Sequence, residues 1–155
     1  MTPKTTEQLF WEMYAIMQDM AEQFRQLSHT KSLPTPDYVT QYVANRCNVS
    51  VDEITTRSRK QDIAEARQLL SALLKIGLRL SASQVGIMVG NYDHATVLHS
   101  INKVSTRYAI YPMYRNSVDK MIKHLFNSDQ DYVKARIINP RLDSKDIYAG
   151  LEVSW

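Results

Sequence analysis

Cysteine is almost absent from this sequence: Cys47 is the only one in 155 residues. Neither a disulfide within the chain nor a cysteine-built zinc site can form. Glycine is scarce as well, with four residues at 77, 86, 90 and 150. They are too scattered to build the Gly-x-x-x-x-Gly-Lys-Ser/Thr loop that cradles nucleotide phosphates. No apolar run approaches the ~20 residues needed to cross a bilayer. The opening Met1-Thr2-Pro3-Lys4 lacks the apolar core of a secretory signal. These absences point to a soluble protein in a reducing, cytoplasmic setting, with no membrane partner.

Catalytic constellations are missing too. His94 and His99 lie five apart, which does not align two metal ligands on one helix face as a four-residue spacing does. His29 and His124 have no ligand-type neighbour at metal-binding spacing. No Ser-His-Asp or Cys-His arrangement stands out, and Asp52-Glu53 suits a helix start better than an acid pair. The expectation is a protein that is not an enzyme and holds no cofactor and no metal. Lys and Arg total 19 against 16 Asp and Glu, a formal net charge of +3. That excess permits nucleic-acid binding without demanding it, so the placement of charge matters more.

Apolar periodicity predicts helices throughout and no strand. Leu9, Phe10, Met13, Ile16, Met17, Met20, Phe24 and Leu27 recur at helical spacing and predict an amphipathic helix over 7–28. Its methionine-rich stripe suits either core packing against the rest of the chain or a seam to a second copy or partner protein. Ser32 to Pro36 reads as a linker. Asp37 is the candidate cap of a helix reaching about Cys47. Ser50 and Glu53 form a capping-box pattern for a short helix, with Val51 and Ile54 inward. Residues 61–76 carry the stripe Ile63, Ala66, Leu69, Leu70, Leu73 and Leu74, and Gly77 reads as the stop. Ser81 with Gln84 predicts a short helix from Ala82 to Val89. Gly90-Asn91-Tyr92-Asp93 is a tight turn in which Gly90 or Asn91 can turn left-handed. A helix from His94 to about Tyr108 follows, its stripe being Val97, Leu98, Ile101, Val104 and Tyr108. Pro112 opens another, to about Asn127. Residues 128–155 have weak periodicity and read as an extended or partly disordered tail, with Ile147, Tyr148, Leu151 and Trp155 as the residues through which it can dock.

Two features coincide in the middle of the chain. The unit Ser81–Tyr108 has the form of a helix-turn-helix, whose second helix sets its first residues against base edges in the major groove. Those residues are Asp93, His94, Ala95 and Thr96: an acceptor for cytosine, two adaptable donors and a methyl for thymine. His99, Asn102, Lys103 and Arg107 follow on the polar face at phosphate-contacting positions. The second feature is the basic loop Arg57-Ser58-Arg59-Lys60, which can set an Arg in the adjacent minor groove.

These residues resemble a known family. The run Val85-Gly86 through Gly90, Asp93-His94-Ala95-Thr96-Val97-Leu98-His99 and Lys103-Val104 is similar to the signature of the C-terminal domain of the bacterial replication initiator DnaA. Ser58-Arg59-Lys60, Ala64 and Ala66-Arg67-Gln68 match its basic-loop motif at the same spacing, and the resemblance covers about residues 37–125. It implies an all-α fold: a helical bundle containing a helix-turn-helix, of the DnaA C-terminal and Trp-repressor-like kind. It also implies binding to a short, asymmetric, A/T-leaning box at replication origins. Arg59 then matches the Arg that enters the minor groove. Arg57, Lys60, Gln61 and Arg67 match backbone contacts, and Ser83 and Gln84 lie where the first helix meets DNA. Tyr92 departs from a basic residue, leaving only a hydroxyl to donate. Ala95 departs from Thr, and Ala82-Ser83 from a larger apolar residue and Pro, so the bound sequence is expected to differ from the family's box.

The resulting organisation is an N-terminal helix and linker at 1–36, a DnaA-like DNA-binding domain at 37–127 and a C-terminal tail at 128–155. The ATPase domain of the initiator has no counterpart. A stand-alone protein that borrowed the module is therefore favoured over an excised fragment. The expected function is sequence-specific double-stranded DNA binding in replication initiation or its regulation, at the nucleoid. The alternative is an interaction module that keeps the fold and binds a replication or regulatory partner.

Overall fold

The computed structural model describes residues 2–31, the last seven as backbone only, and 33–141. Helices dominate, and no strand occurs among the described residues. The chain divides into two units, Met1–Ser32 and Leu33–Trp155.

The first unit is one helix, α1 (Thr6–Lys31). Thr5 starts it with a reciprocal cap: its Oγ1 accepts from the Gln8 N–H at 3.2 Å, and its own N–H donates to Gln8 Oε1 at 3.0 Å. Lys4 Nζ reaches Glu12 at 2.7 Å across the first turns. Within this unit the helix leaves its stripe unburied, from 53% exposed at Leu9 to 74% at Phe24.

The second unit begins with α2 (Pro36–Arg46). Its cap is Thr35, whose Oγ1 accepts from the Tyr38 N–H at 3.2 Å. Asp37 is not the cap, because Pro36 takes the first helical position, where its missing N–H costs nothing. Ser50 and Glu53 close the predicted capping box on α3 (Val51–Thr55). Ile54 is buried there, while Val51 stays outside. The long helix α4 (Gln61–Ala72) runs into a wider π turn, Leu73–Gly77. Gly77 does not stop the helix by turning left-handed; that conformation falls to Arg79, with φ 58°. Gly77 is there for space: a Cβ on it would stand 2.2 Å from the Phe126 ring.

Next come α5 (Ala82–Met88), capped by Ser81 with Gln84, and α6 (His94–Ile110), capped by Asp93. α6 packs lengthwise on α4. Val97, Ile101, Val104 and Tyr108 are buried, but Leu98 is 44% exposed and is not part of the stripe. Pro112 opens α7 (Pro112–Leu125). The Tyr108 hydroxyl donates to Asp119, and the Arg115 Nε donates to the Tyr108 carbonyl at 2.8 Å, so α6 and α7 are latched at their junction.

The expectation of an extended or partly disordered tail fails at its start. A 3₁₀ turn, Asn127–Asp129, leads into α8 (Gln130–Ile138), which buries Tyr132, Val133 and Ile137 in the core shared with α6 and α7. The apolar residues Tyr132, Val133, Ala135, Ile137 and Ile138 fall in a stretch of nine with no clear helical period. Tertiary burial fixes it instead. The docking residues Ile147, Tyr148, Leu151 and Trp155 lie outside the described residues.

Candidate nucleic-acid interface

Two glycines fold the turn between α5 and α6. A Cβ on Gly86 would lie 2.0 Å from the Tyr92 carbonyl oxygen, and the Tyr92 N–H donates to the Gly86 carbonyl at 2.9 Å. Gly90 has φ 120°, and a Cβ there would stand 2.7 Å from the Thr55 carbonyl oxygen. Asn91 continues left-handed at φ 61°. Both turn residues, rather than one or the other, adopt positive φ. The consequence is that the turn lies hard against the end of α3, where the basic loop begins.

The loop is then clamped from two sides. Arg67, on α4, is only 7% exposed. Its Nε donates to the Ile54 carbonyl at 2.8 Å, its Nη1 to the Ser58 carbonyl at 3.2 Å, and its Nη2 to the Thr56 carbonyl. A guanidinium whose fork is spent on three main-chain oxygens is not a backbone-phosphate contact. That assignment of Arg67 is corrected to holding the loop. Arg57 Nη2 donates to the Asn91 carbonyl at 2.5 Å. The Tyr92 ring lies against both cations, with the Arg57 and Arg67 guanidinium carbons 5.1 and 5.2 Å from its centroid. Tyr92 therefore does not replace the family's basic residue with a lone hydroxyl. Its ring face ties the loop to the helix-turn-helix. Sequence reading missed this clamp, because its members are 10 to 35 positions apart. The one local signal was the aromatic residue beside two left-handed positions.

The other named residues follow from this frame. Arg59, Lys60 and Gln61 are exposed, and Gln61 Nε2 donates to Glu65 at 3.1 Å. His94, Ala95, Thr96, His99 and Lys103 are exposed along the first three turns of α6. Asp93 spends its Oδ1 on the Thr96 N–H at 2.8 Å. Those hydrogen bonds to Thr96, helped by His94 and Arg57, hold its carboxyl below the usual value. Ser83 and Gln84 are exposed on α5, and the Gln84 side-chain oxygen accepts from the Ser81 N–H at 3.0 Å in the capping box. Arg107 faces inward, donating to Gln68 Oε1 at 2.7 Å, so it leaves the phosphate-contacting set. A cleft of about 150 Å³ joins the two halves, lined by Arg67 and Tyr92 on one side and by Thr96, His99 and Lys103 on the other.

Residues 36–104 match the family model described as the bacterial DnaA protein helix-turn-helix. This segment is a DnaA-type helix-turn-helix domain. The chain is 35% identical over 95 residues to the chromosomal replication initiator protein DnaA of Lachnoclostridium phytofermentans, which spans 61% of this chain and 21% of that protein. DnaA of Porphyromonas gingivalis is 34% identical over 86 residues, 56% of this chain and 18% of its own length. DnaA of Crocosphaera subtropica is 38% identical over 71 residues, 46% and 16% of the two chains. The chain thus spans about a fifth of the length of the DnaA proteins it matches. A helix-turn-helix is a DNA-binding fold rather than a catalytic one. Among the described residues, no group of three His, Cys, Asp or Glu side chains could hold a metal ion, and no helix is long and apolar enough to cross a membrane.

Proposed function

We propose that this chain binds double-stranded DNA in a sequence-specific way. In this reading α6 lies in the major groove, with His94, Ala95 and Thr96 at base edges and Asp93 both capping the helix and facing the groove. Arg59 enters the neighbouring minor groove. Lys60, Gln61, Ser83, Gln84, His99 and Lys103 meet the sugar-phosphate backbone. Arg57 is shared between the turn and a phosphate, while Tyr92 and Arg67 hold the loop in place. The observation that carries the reading is the clamp of Arg57 on Asn91 and Tyr92, which sets the basic loop beside the start of α6. A loop packed elsewhere would have no route to the groove next to that helix. The role proposed for this binding is replication initiation or its regulation, at the nucleoid in the cytoplasm, as for the DnaA proteins that share the domain.

Binding-site selection from random duplexes, repeated on variants, tests this. Arg59→Ala costs affinity and relaxes preference only on the A/T side of the site, since a minor-groove Arg senses groove width and A·T content. His94→Ala costs on the order of 1–3 kcal/mol and relaxes one or two base pairs. Lys103→Ala weakens all sequences alike, because a phosphate contact carries no base information. Wild-type affinity and preference in all three variants would move the DNA surface elsewhere or remove it.

A further inference from the structure

α8 lies beyond residues 36–104, the segment that matches the DnaA helix-turn-helix. It nevertheless packs along α6. The Ser105 Oγ donates to the Ile138 carbonyl at 3.3 Å, which holds the end of α8 to the side of α6. A second cleft, of about 210 Å³, lies between these two helices and the π turn. Ile76, Leu98 and Ile101 line it with apolar surface, and Lys75, Arg136 and Arg141 supply its charge. No acid is among the described residues that line it.

These three cations make no ion pair among the described residues, unlike Arg79 and Arg107, which have Asp129 and Glu65 at 3.8 and 4.0 Å. Arg136 Nη1 donates to the neutral Tyr132 hydroxyl at 3.3 Å, and its Nε has no acceptor among the described residues. Three like charges around one cleft repel one another, and an anion set among them turns that repulsion into attraction.

Given α6 in the major groove, as proposed above, we infer that Arg136 and Arg141 hold a second stretch of DNA backbone, on the flank of α6 away from the basic loop. The major groove is about 12 Å wide and a helix with its side chains about 10–12 Å across, so a helix seated there has a backbone on each side. At about 100° per residue, Thr96 and Lys103 lie on one side of Ala95 and His99, and Leu98 and Asn102 on the other. The first side faces Arg67 and Tyr92, which hold the basic loop, and the second faces Arg136 and Arg141. Cations thus border α6 on both sides, where the two strands pass. The wall shared with α6 singles out the DNA backbone over a free phosphate of the same chemistry.

The variant Arg136→Gln/Arg141→Gln tests this in the full chain, with Arg141→Glu alone as a second variant that leaves the Arg136–Tyr132 contact in place. The pair should bind every duplex about tenfold or more weakly at 0.1 M salt and make the slope of log K against log salt shallower by about 2. Site preference should not change, because a phosphate contact carries no base information. Arg141→Glu should weaken all duplexes in the same uniform way. Wild-type affinity and slope in both variants overturns the inference, and so does a loss confined to particular base sequences. A saturable response to inorganic phosphate at constant ionic strength, abolished by Arg141→Glu while DNA binding is unchanged, assigns the cleft to a free ion instead. If the α8 variants match wild type while Arg59→Ala and His94→Ala lose affinity, the DNA reading stands and only this contact falls. An unaltered chain that binds no duplex removes both.

Discussion

Arg67 shows how a single side chain changes role between sequence and structure. In the sequence it is one more cation near a basic loop. In the fold it is buried, and its fork answers the carbonyls of Ile54, Thr56 and Ser58. Arg67→Met should destabilise the free protein by about 2–4 kcal/mol, since three main-chain acceptors lose a charged donor in a mostly dry site. A urea melt without DNA measures it. An unchanged midpoint would show that Arg67 does not hold the loop. Asp93 makes a second prediction. Its carboxyl lies below its ordinary 3.8 in the fold because it accepts from Thr96. A lowered folded-state value contributes stability above the unfolded value, and that stability is lost as pH falls through the folded one. Asp93→Asn keeps a cap but cannot titrate. Wild type should therefore lose its advantage over Asp93→Asn in paired thermal melts as pH falls below the ordinary carboxylate value. Parallel curves through that range would show that Asp93 does not contribute through its charge.

At the scale of elements, the decisive finding is that the bundle does not end with α7. α8 sends Tyr132, Val133 and Ile137 into the core, and each is at most 8% exposed. Burying such side chains stabilises by roughly 1.5–3 kcal/mol each. A chain cut after Asp129 should therefore melt several degrees lower or lose its cooperative transition. Melting indistinguishable from the uncut chain would make α8 an ornament rather than a wall. The short helices tell the opposite story. α3 and α5 are only five and seven residues, yet both starts are legible, because a Ser three residues before a Glu or Gln is a local, self-contained chemistry. Whatever is completed within four residues can be read from the chain. α8, which depends on distant partners, cannot.

For the whole molecule, the electrostatics make a quantitative statement. Arg57, Arg59, Lys60 and Lys103 are the exposed cations on the proposed surface. With Arg59 in the minor groove, the three that meet phosphates release counterions with a slope of log K against log salt of about −3 per binding unit. Titration of one chosen duplex between low and moderate salt measures the slope. A value near zero would leave no room for phosphate contacts. The net charge of +3 would not have suggested this concentration, because acids elsewhere, four of them in α1, mask it.

The sequence by itself determined the helical class, the capped starts at Ser50 and Ser81, and the positions of the helix-turn-helix and the basic loop. It did so because apolar periodicity and capping act over a few residues. It also carried the DnaA likeness, which needs only matching residues in register. Tertiary structure alone decided the rest. It turned Arg67 and Arg107 away from the proposed surface, made Tyr92 a bridge rather than a missing charge, placed Leu98 outside and brought α8 inside. Each of these outcomes depends on which distant groups a side chain meets after folding: three carbonyls of a loop, two guanidiniums, or the flank of α6. No spacing along the chain encodes such meetings, because they are set by how the helices pack.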